Sequence, residues 1–281
     1  MSDAAAKAAV LAEALPYIRR FRDKVVVVKY GGNAMGPDLA GFAGDIALMR
    51  AVGMLPVVIH GGGPQIGDMM KRLGKVSEFR DGLRVTDAET LDIARMVLVG
   101  KVNRDVVSAI NVHGPLAVGV SGEDGGLITA TERHPDLGFV GDISAVNTTI
   151  LDRLLAEELI PVVATIGTDE QGQAYNINAD TAAGAIAEAL GAEKLVYLTD
   201  IEGLRKQVDD PASLISSISV ADLEPLLKDG TIGEGMIPKV ASCVHAVRGG
   251  VAQAHILDGR LTHALLLEIF TPEGVGTMVT P

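Results

Sequence analysis

Lysines, an aspartate and several glycines stand in patterns that could bind and transfer a phosphoryl group. The run VVVVKYGGN at residues 25–33 places Lys29 near the end of an apolar segment and shortly before two glycines. In an open parallel sheet, ligands bind beyond the carboxyl ends of the strands, and glycines there let backbone N–H groups approach an anion. Taken alone, the pattern is about equally consistent with a lysine beside an ordinary turn.

A second glycine-rich segment, LPVVIHGGGPQIGDMM at residues 55–70, predicts a strand, a turn and a helix that begins near Pro64. A helix N-terminus offers unpaired N–H groups and the positive end of the helix dipole. Gly61, Gly62 and Gly63 therefore predict a neutral cradle for a phosphate or a carboxylate. A tight strand-to-helix turn explains the same glycines without a ligand.

Two common nucleotide-binding motifs are excluded. The dinucleotide motif G-x-G-x-x-G fails because, counted from Gly61, its last position is Ile66, and counted from the next glycine its middle position is a proline. The P-loop motif fails because the Gly-Lys pairs at residues 74–75 and 100–101 are followed by valine, where Ser or Thr would ligate magnesium. Without the first motif, the sequence gives no main support for an oxidoreductase function. Without the second, any bound ATP must be held by another architecture.

The stretch YNINADT at residues 175–181 lies between an apolar run and an alanine-rich helical pattern. Asp180 considered singly is explained by ordinary helix capping. Asn176, Asn178 and Asp180 together predict a polar cluster at the mouth of the sheet that could bind a substrate and position cationic side chains.

Two later segments predict contacts with a nucleotide. The run LVYLTDIEGL at residues 195–204 ends a predicted strand at Thr199 and Asp200, with Gly203 beyond. The run GTIGEGMIPKV at residues 230–240 is a glycine-rich approach to Lys239, which would let the backbone pass close to phosphates. A flexible surface loop is the alternative for this last segment.

Apolar runs alternate with helical patterns along the chain, as in βα units. They occupy residues 25–30, 55–60, 116–120, 160–166, 195–198 and 254–257. Because these runs are rich in Val, Ile and Leu and do not alternate with polar residues, they predict strands buried on both faces of a mostly parallel sheet. The fold class predicted is therefore a three-layer α/β/α sandwich, with a hairpin excursion between Leu127 and Asn147.

The N-terminal residues 3–22 predict a helix, with a kink at Pro16. Apolar side chains recur along one face, at Val10, Leu11, Leu15, Ile18 and Phe21. This stripe requires a partner surface, which is either the rest of the same domain or another subunit.

Composition limits the classes of function. With 36 acidic and 24 basic residues, the net charge of -12 argues against nucleic acid and anionic membranes as partners. The single Cys243 excludes an internal disulfide and a Cys-rich zinc site, and it fits a reducing cytoplasm. No run approaches 18 apolar residues, so no membrane span is expected.

Taken together and in this order, the five segments resemble the amino acid kinase family from Val25 to Pro281. The motifs GGGPQI, GLRVTD, NINAD and GMIPK are most similar to the branch that phosphorylates N-acetyl-L-glutamate. This resemblance implies an ATP-dependent synthesis of N-acetyl-L-glutamyl 5-phosphate, an early step of arginine biosynthesis. Another kinase of the family and a catalytically silent arginine sensor on the same scaffold are the alternatives.

The resemblance also implies roles for individual residues. Lys29 and Lys239 would stabilise the transferring phosphoryl group, and Asp180 would hold both ammonium groups. The implied acceptor contacts are Gly32, Gly62, Gly63, Arg84, which would clamp the α-carboxylate, and Asn176. The implied nucleotide contacts are Thr199, Asp200, Gly203, Gly233 and Gly235. Mg²⁺ would arrive with ATP and be held mainly by the nucleotide, so no metal ligand of the protein is expected.

The lobes implied by the resemblance are an N-terminal helix at 1–22, an acceptor lobe at 23–194 and an ATP-binding lobe at 195–281. The C-terminal part is similar to the arginine-inhibited branch, in which His255, Glu268 and Gly274 match arginine-binding positions. A charged residue at a strand edge is the alternative for Glu268. In that branch the N-terminal helix links dimers into a hexamer, so a dimer or a hexamer is expected.

Overall fold

Helices cover both faces of a central sheet, to which the described residues contribute eight strands. This computed structural model describes residues 3–31, 38–80, 82–207, 210, 213–228, 232, 236–271 and 274–281. The predicted contacts Gly32, Gly233 and Gly235 lie outside the described residues. The three-layer α/β/α prediction is confirmed.

The strands are β1 Val25–Tyr30, β2 Leu55–His60, β3 Phe79–Arg80, β4 Leu83–Arg84, β5 Ala117–Ser121, β6 Ile128–Glu132, β7 Val140–Val146, β8 Ile160–Ala164, β9 Ile166–Thr168, β10 Ala174–Ile177, β11 Lys194–Thr199, β12 Ser217–Ser219, β13 Gln253–Asp258 and β14 Thr277–Thr280. The helices are α1 Asp3–Phe21, α2 Leu39–Ala51, α3 Gly63–Arg72, α4 Ala88–Arg95, α5 Asn103–Asn111, α6 Thr149–Ala156, α7 Ala179–Ala189, α8 Val220–Lys228, α9 Ile237–Arg248 and α10 Ala264–Phe270.

The strands of the large sheet follow the order β12-β14-β13-β11-β1-β2-β8-β5. Neighbours are parallel, except that β14 runs antiparallel to β13. Strand β1 lies in the middle and pairs with β2 on one side and β11 on the other. The carboxyl ends of these strands therefore meet at one edge of the sheet, where the predicted ligand contacts follow them.

The alternation of side chains along β1 joins the sheet to both helical layers. Val26 and Val28 pack into a core that includes residues of α2, α5 and α10. Val27 points to the opposite face, into a core that includes α6, α7 and α9. All three valines are fully buried, as the uninterrupted apolar run predicts.

The apolar run at residues 160–166 forms two strands instead of one. Strand β8 ends at Ala164, and β9 begins at Ile166 in a separate small barrel with strand order β10-β7-β6-β9. The chain leaves the large sheet at Thr165, whose carbonyl oxygen accepts a hydrogen bond from the Ile177 N–H at 3.0 Å. The predicted hairpin is confirmed, since β6 and β7 pair antiparallel within this barrel.

Helices α4 and α5 are joined without a break by a π-helical segment, Met96–Val102. Its Leu98 and Val102 are buried beside the turn that follows β2. The sequence pattern did not predict this segment, because apolar periodicity does not distinguish a π-helical turn from an α-helical one.

The predicted N-terminal helix is present as α1, and Pro16 lies within it. Its last turn packs on the core through Ile18 and Phe21, whereas Leu11 is 74% exposed and Leu15 is 45% exposed. The side chain of Val10 lies outside the described residues. One part of the predicted stripe therefore contacts its own domain and the other part faces outward.

Two smaller expectations concern Cys243 and membrane insertion. Cys243 is fully buried, and burial raises the pKa of its thiol, as expected for an inert cysteine. Across the described residues, every helix is too short or too polar to cross a bilayer.

Helix α2 offers a matched test of the core. We expect Ile46→Ala to lower the free energy of unfolding by about 2–5 kcal/mol, because Ile46 is fully buried against the sheet. Leu48→Ala on the same helix, where the side chain is 43% exposed, should change it by no more than about 0.5 kcal/mol. Urea denaturation followed by circular dichroism measures both values, and equal losses would contradict the packing described.

Candidate functional site

A cavity of about 360 Å³ opens at the carboxyl ends of the central strands. The described residues that line it include Lys29, the turn at 61–63, Arg84, residues 176–180 and Lys239. They come from five separate segments of the chain. The fold therefore brings together the described members of the predicted catalytic and acceptor-binding sets.

At the centre of this cavity, one carboxylate holds two ammonium groups. The Nζ atom of Lys29 lies 2.8 Å from Oδ1 of Asp180, and the Nζ atom of Lys239 lies 3.0 Å from Oδ2. The side chains of Lys29 and Asp180 are 8% and 10% exposed, whereas that of Lys239 is 20% exposed. Each oxygen of the carboxylate thus has its own cation.

Local structure explains why these groups meet. Lys29 shares a face of β1 with Val27, which packs against α7, so its side chain reaches the start of that helix. Asn178 caps α7, its Oδ1 accepting from the N–H groups of Asp180 and Thr181 at 2.9 and 3.1 Å. Asp180 thus lies in the first helical turn, where the helix dipole favours a negative charge.

The second lysine is fixed by contacts between α7 and α9. Lys239 lies in the first turn of α9, and Ser242 one turn later donates its hydroxyl to the carbonyl oxygen of Asp180 at 2.9 Å. The hydroxyl of Tyr197, on β11, donates to the same carbonyl oxygen at 3.1 Å. Both the backbone and the side chain of Asp180 therefore hold α9 in place.

The electrostatics of the cavity favour anions. Burial raises the pKa of the Asp180 carboxyl, but Lys29 and Lys239 outweigh burial and hold that pKa below its usual range. Of the charged described residues that line the cavity, three are cationic and two are acidic, Asp180 and Asp200. The cavity thus carries a net positive charge in a chain whose net charge is -12.

The glycine turn after β2 lets the backbone border the cavity. A Cβ at Gly62 would lie 2.7 Å from the Leu98 side chain, so only glycine fits there without a shift. Gly63 begins α3 and faces open space. Their N–H groups stand at a helix N-terminus, where an anion is stabilised.

Arg84 presents a guanidinium to the same cavity. Its side chain is buried, stacked over the Phe79 ring at 4.7 Å, and donates to the Gly63 carbonyl oxygen at 2.8 Å and to the Ser77 hydroxyl. Burial lowers the pKa of Arg84. Among the described residues, no carboxylate forms an ion pair with it, so its positive charge is available to an anionic ligand.

Asn176 lies at the end of β10 and lines the cavity near Arg84. Its side-chain amide donates to the Thr86 hydroxyl at 3.3 Å, and its backbone N–H donates to the Phe139 carbonyl oxygen at 2.9 Å. The bond to Thr86 orients the side-chain amide of Asn176, which lines the same cavity as the guanidinium.

A second cavity, of about 370 Å³, adjoins the first at Asp200, which lines both. Its walls are formed by apolar side chains, Gly203, two acidic residues and three cations. The acidic residues are Asp200 and Glu202, and the cations are Arg205, which pairs with Glu202, Arg260, which pairs with Asp258, and Lys206. Gly203 has φ +145°, and a Cβ there would lie 2.6 Å from the Thr277 hydroxyl oxygen. Thr199 lines only the first cavity, next to Asp200. The sequence motifs did not single out the three cations.

The three residues matched to arginine binding lie around a third cavity, of about 380 Å³. Nδ1 of His255 lies 2.7 Å from Oε1 of Glu268, whose other oxygen accepts from the Val275 N–H at 2.8 Å. Gly274 has φ +59°, a conformation that favours glycine, and it lies against Glu268.

Lys194 is a residue of this third cavity that the motifs missed. Its Nζ atom lies 3.0 Å from Nε2 of His255 and 2.7 Å from Oε1 of Gln253. Burial lowers the pKa of Lys194 to about 8. The signal available in the sequence was a lysine at the start of a buried strand. Tyr17, from the last turns of α1, also borders the cavity.

No set of three or more His, Cys, Asp or Glu side chains is placed to hold a metal ion within the described ranges. His60 is fully buried at the end of β2, outside the lining of the first cavity. Burial lowers the pKa of His60 to about 4, so it is neutral at physiological pH.

Comparison with known proteins decides the family. The model of the amino acid kinase family matches residues 24–258, most of the chain. The chain belongs to the amino acid kinase family. An acetylglutamate kinase from Nocardia farcinica is 55% identical to this amino acid kinase over 284 residues, covering 98% of it and 93% of the relative.

Solved structures agree with this assignment. An N-acetylglutamate synthase from Neisseria gonorrhoeae, in complex with coenzyme A and N-acetyl-glutamate, has a TM-score of 0.86 and 29% identity to this kinase. The match covers 98% of the kinase but only 63% of the synthase chain. The same synthase with coenzyme A and L-arginine matches with a TM-score of 0.80 and 29% identity, covering 97% of the kinase and 65% of that chain.

We expect Asp180→Asn to destabilise the kinase by about 3–5 kcal/mol, because it leaves a buried ammonium without its counter-charge. Since the folded-state pKa of Asp180 is lowered, its contribution is complete above the ordinary value of 3.8 and is lost only as the pH falls below that value. Urea unfolding at pH 7 measures the loss. Asp92→Asn, the same chemical change at an exposed position of α4, is the control, and an equal effect of both changes would contradict the buried clamp.

Proposed function

We propose that this kinase transfers the γ-phosphoryl group of ATP to the side-chain carboxylate of N-acetyl-L-glutamate, giving ADP and N-acetyl-L-glutamyl 5-phosphate. The observation that carries the proposal is the pair of lysines held by Asp180 in the first cavity, which adjoins the second at Asp200. Curated relatives that are named acetylglutamate kinase and are about 55% identical over nearly the whole chain support the acceptor.

The first cavity is proposed to bind the acceptor. Arg84 offers two guanidinium nitrogens in a fixed plane, which matches the geometry of an α-carboxylate. Asn176 beside it offers an oriented amide for further polar contacts. With the α-carboxylate held there, the side-chain carboxylate of the acceptor would extend toward Lys29 and the glycine turn.

The second cavity is proposed to bind the nucleoside of ATP. Its apolar walls suit an adenine ring, and the side chains of Lys206, of the Arg205–Glu202 pair and of Arg260, which pairs with Asp258, offer polar contacts beside it. Thr199 and Asp200 lie where the two cavities adjoin, so the phosphates would pass them toward Lys239. The predicted contacts Gly233 and Gly235 lie outside the described residues and stay predictions.

The proposed reaction is an in-line displacement. An oxygen of the acceptor carboxylate attacks the γ-phosphorus, the bond to the bridging oxygen breaks, and the electron pair leaves with ADP. No proton has to be removed, because a carboxylate is already ionised at neutral pH. Lys29, Lys239 and the N–H groups of Gly62 and Gly63 would neutralise the charge on the transferring group, so the protein contributes positioning and electrostatic stabilisation.

Mg²⁺ is proposed to enter with ATP, held mainly by phosphate oxygens and water. Mg²⁺ keeps several waters and often binds substrate phosphates with few protein ligands. When bound, the ion would supply charge neutralisation on the phosphates.

The division into lobes follows the two cavities. The described residues that line the first cavity come from 29–200, apart from Lys239, and those of the second come from 200–260. These ranges support an acceptor lobe at 23–194 and an ATP-binding lobe at 195–281.

The exposed Leu11 and Leu15 of α1 support a role of this helix in a homo-oligomer, a dimer or a hexamer.

The acceptor is tested by ADP release with MgATP and, in turn, N-acetylglutamate, glutamate, aspartate, carbamate and UMP. We expect turnover with N-acetylglutamate, reduced about 100-fold in Lys239→Ala by loss of one charge-stabilising donor. The exposed Lys71→Ala is the control and should keep wild-type turnover. Turnover confined to another acceptor would keep the reaction type and replace the substrate. No turnover with any acceptor would favour a silent arginine sensor.

L-Arginine is proposed to inhibit the kinase from the third cavity. Glu268 would pair with the guanidinium, and Lys194 at the opposite side of His255 would favour the carboxylate of the ligand. The cavity is closed on one side by α1 and by β11, the strand that neighbours β1. A related synthase structure that contains L-arginine supports this choice of ligand.

We expect Glu268→Gln to raise the arginine concentration for half-inhibition about 10- to 100-fold, since one charged hydrogen bond is lost. Turnover without arginine should stay unchanged, because Glu268 lies in a different cavity from Lys29. The exposed Glu157→Gln is the control. Titration of initial rates with arginine measures the shift, and an unaltered inhibition curve in Glu268→Gln would refute this site.

A further inference from the structure

His60 is fully buried at the carboxyl end of β2, directly before the glycine turn. Its Nδ1 atom lies 3.0 Å from the carbonyl oxygen of Gly61. A carbonyl oxygen only accepts hydrogen bonds, so Nδ1 must carry the hydrogen. In a neutral imidazole the other nitrogen, Nε2, is then an acceptor.

The other side of the ring fits that tautomer. The Asn103 amide nitrogen lies 3.1 Å from Nε2 of His60 and donates to the Val162 carbonyl oxygen at 2.8 Å. The amide oxygen of Asn103 accepts a hydrogen bond from Arg104, which fixes which end of the amide faces the ring. A chain of hydrogen bonds therefore runs from Arg104 through Asn103 and His60 to the Gly61 carbonyl group.

A glycine on a neighbouring strand makes room for this chain of hydrogen bonds. A Cβ atom at Gly119, on β5, would overlap both the Asn103 amide oxygen and the Arg104 guanidinium. Burial lowers the pKa of His60 to about 4, so the ring stays neutral and keeps a single hydrogen over the physiological range. These observations agree on one orientation and one protonation state of the ring.

The peptide group between Gly61 and Gly62 links the orientation of the His60 ring to the direction of a backbone N–H group at the cavity. The peptide between Gly61 and Gly62 is trans, so its C=O and N–H bonds point in opposite directions. The C=O bond is directed to the buried ring of His60, which turns the N–H of Gly62 away from it. Among the described residues, no acceptor takes a hydrogen bond from that N–H, and Gly62 lines the first cavity.

We propose that His60 is a positioning residue, which holds the Gly61 carbonyl group so that the Gly62 N–H is directed at the phosphoryl group in transfer. The inference rests on the proposed function, because it assigns the donor a role in that reaction. His60 itself does not touch the substrate. Its effect is to fix the direction of a donor before charge develops, so that no reorientation is needed in the transition state.

A packing role for His60 makes different predictions from a positioning role. Leucine approximates the shape of the ring without a donor, whereas the amide nitrogen of asparagine can replace Nδ1 as a donor to Gly61. If only packing matters, His60→Leu keeps activity and His60→Asn loses it. If the hydrogen bond donated to Gly61 matters, His60→Asn keeps activity and His60→Leu loses it.

We expect His60→Leu to lower kcat about 10- to 100-fold, toward the loss seen when one preorganised donor is removed. KM for N-acetylglutamate should change less than threefold, because Arg84 and Asn176 are untouched, and His60→Asn should recover most of kcat. MgADP affinity, measured by calorimetry, should match the wild type in both variants. The exposed His113→Leu is the control. Full kcat in His60→Leu, or an equal loss in both variants, would overturn the proposal.

A measurement on the unaltered protein keeps the proposal testable if these variants do not fold. Neutron diffraction from perdeuterated wild-type crystals should show deuterium on Nδ1 of His60, none on Nε2, and the Gly62 N–D bond directed into the first cavity. Deuterium on Nε2 in place of Nδ1 would overturn the proposal. This measurement needs no substrate, so its result is independent of the acceptor assay that tests the proposed function.

Discussion

A single buried carboxylate determines how the rest of the molecule is arranged. Asp180 binds Lys29 from the central strand and Lys239 from α9, while its backbone carbonyl oxygen is held by Ser242 and Tyr197. Without this negative charge, two ammonium groups would approach one another in a largely buried place. The contacts that join α7, α9 and the sheet are therefore also the contacts that, in the proposed reaction, would present two cations to a phosphoryl group.

Charge is distributed unevenly as a consequence. The chain as a whole is acidic, yet the cavity around Asp180 is lined by three cations and two carboxylates. One of the three cations, Arg84, has no carboxylate partner among the described residues. An anion gains little electrostatic stabilisation from such a protein at long range. Inside the cavity the stabilisation is larger, because the dielectric constant is lower there and screening by salt is weaker. Selectivity for the site therefore resides in short-range contacts, which include the fixed donors of the glycine turn.

Much of the fold could be predicted from the sequence, because buried parallel strands are almost uninterrupted runs of Val, Ile and Leu. Strands β1 and β2 begin and end as predicted. The break at Thr165 could not be predicted, since an apolar run does not reveal where a strand leaves one sheet for another. The contacts of Lys194 could not be predicted either, because it lies at the start of a buried strand and only the tertiary structure brings His255 and Glu268 close to it. The meeting of Lys29 with Asp180 was implied by the resemblance to the amino acid kinase family, and the distance between them came from the tertiary structure.

The position of β1 in the sheet has a consequence for how such an enzyme can diversify. This strand is hydrogen-bonded along its length to β2, which leads into the first cavity, and to β11, which leads into the second. Neighbouring strands are about 4.8 Å apart, and the ladder of backbone hydrogen bonds keeps that spacing whatever side chains surround it. The distance between the two proposed substrate sites is thus set by the backbone. If the first cavity binds the acceptor and the second binds ATP, substitutions around the first can change the acceptor while the phosphate donor keeps its position, so one scaffold can serve a family of acceptors.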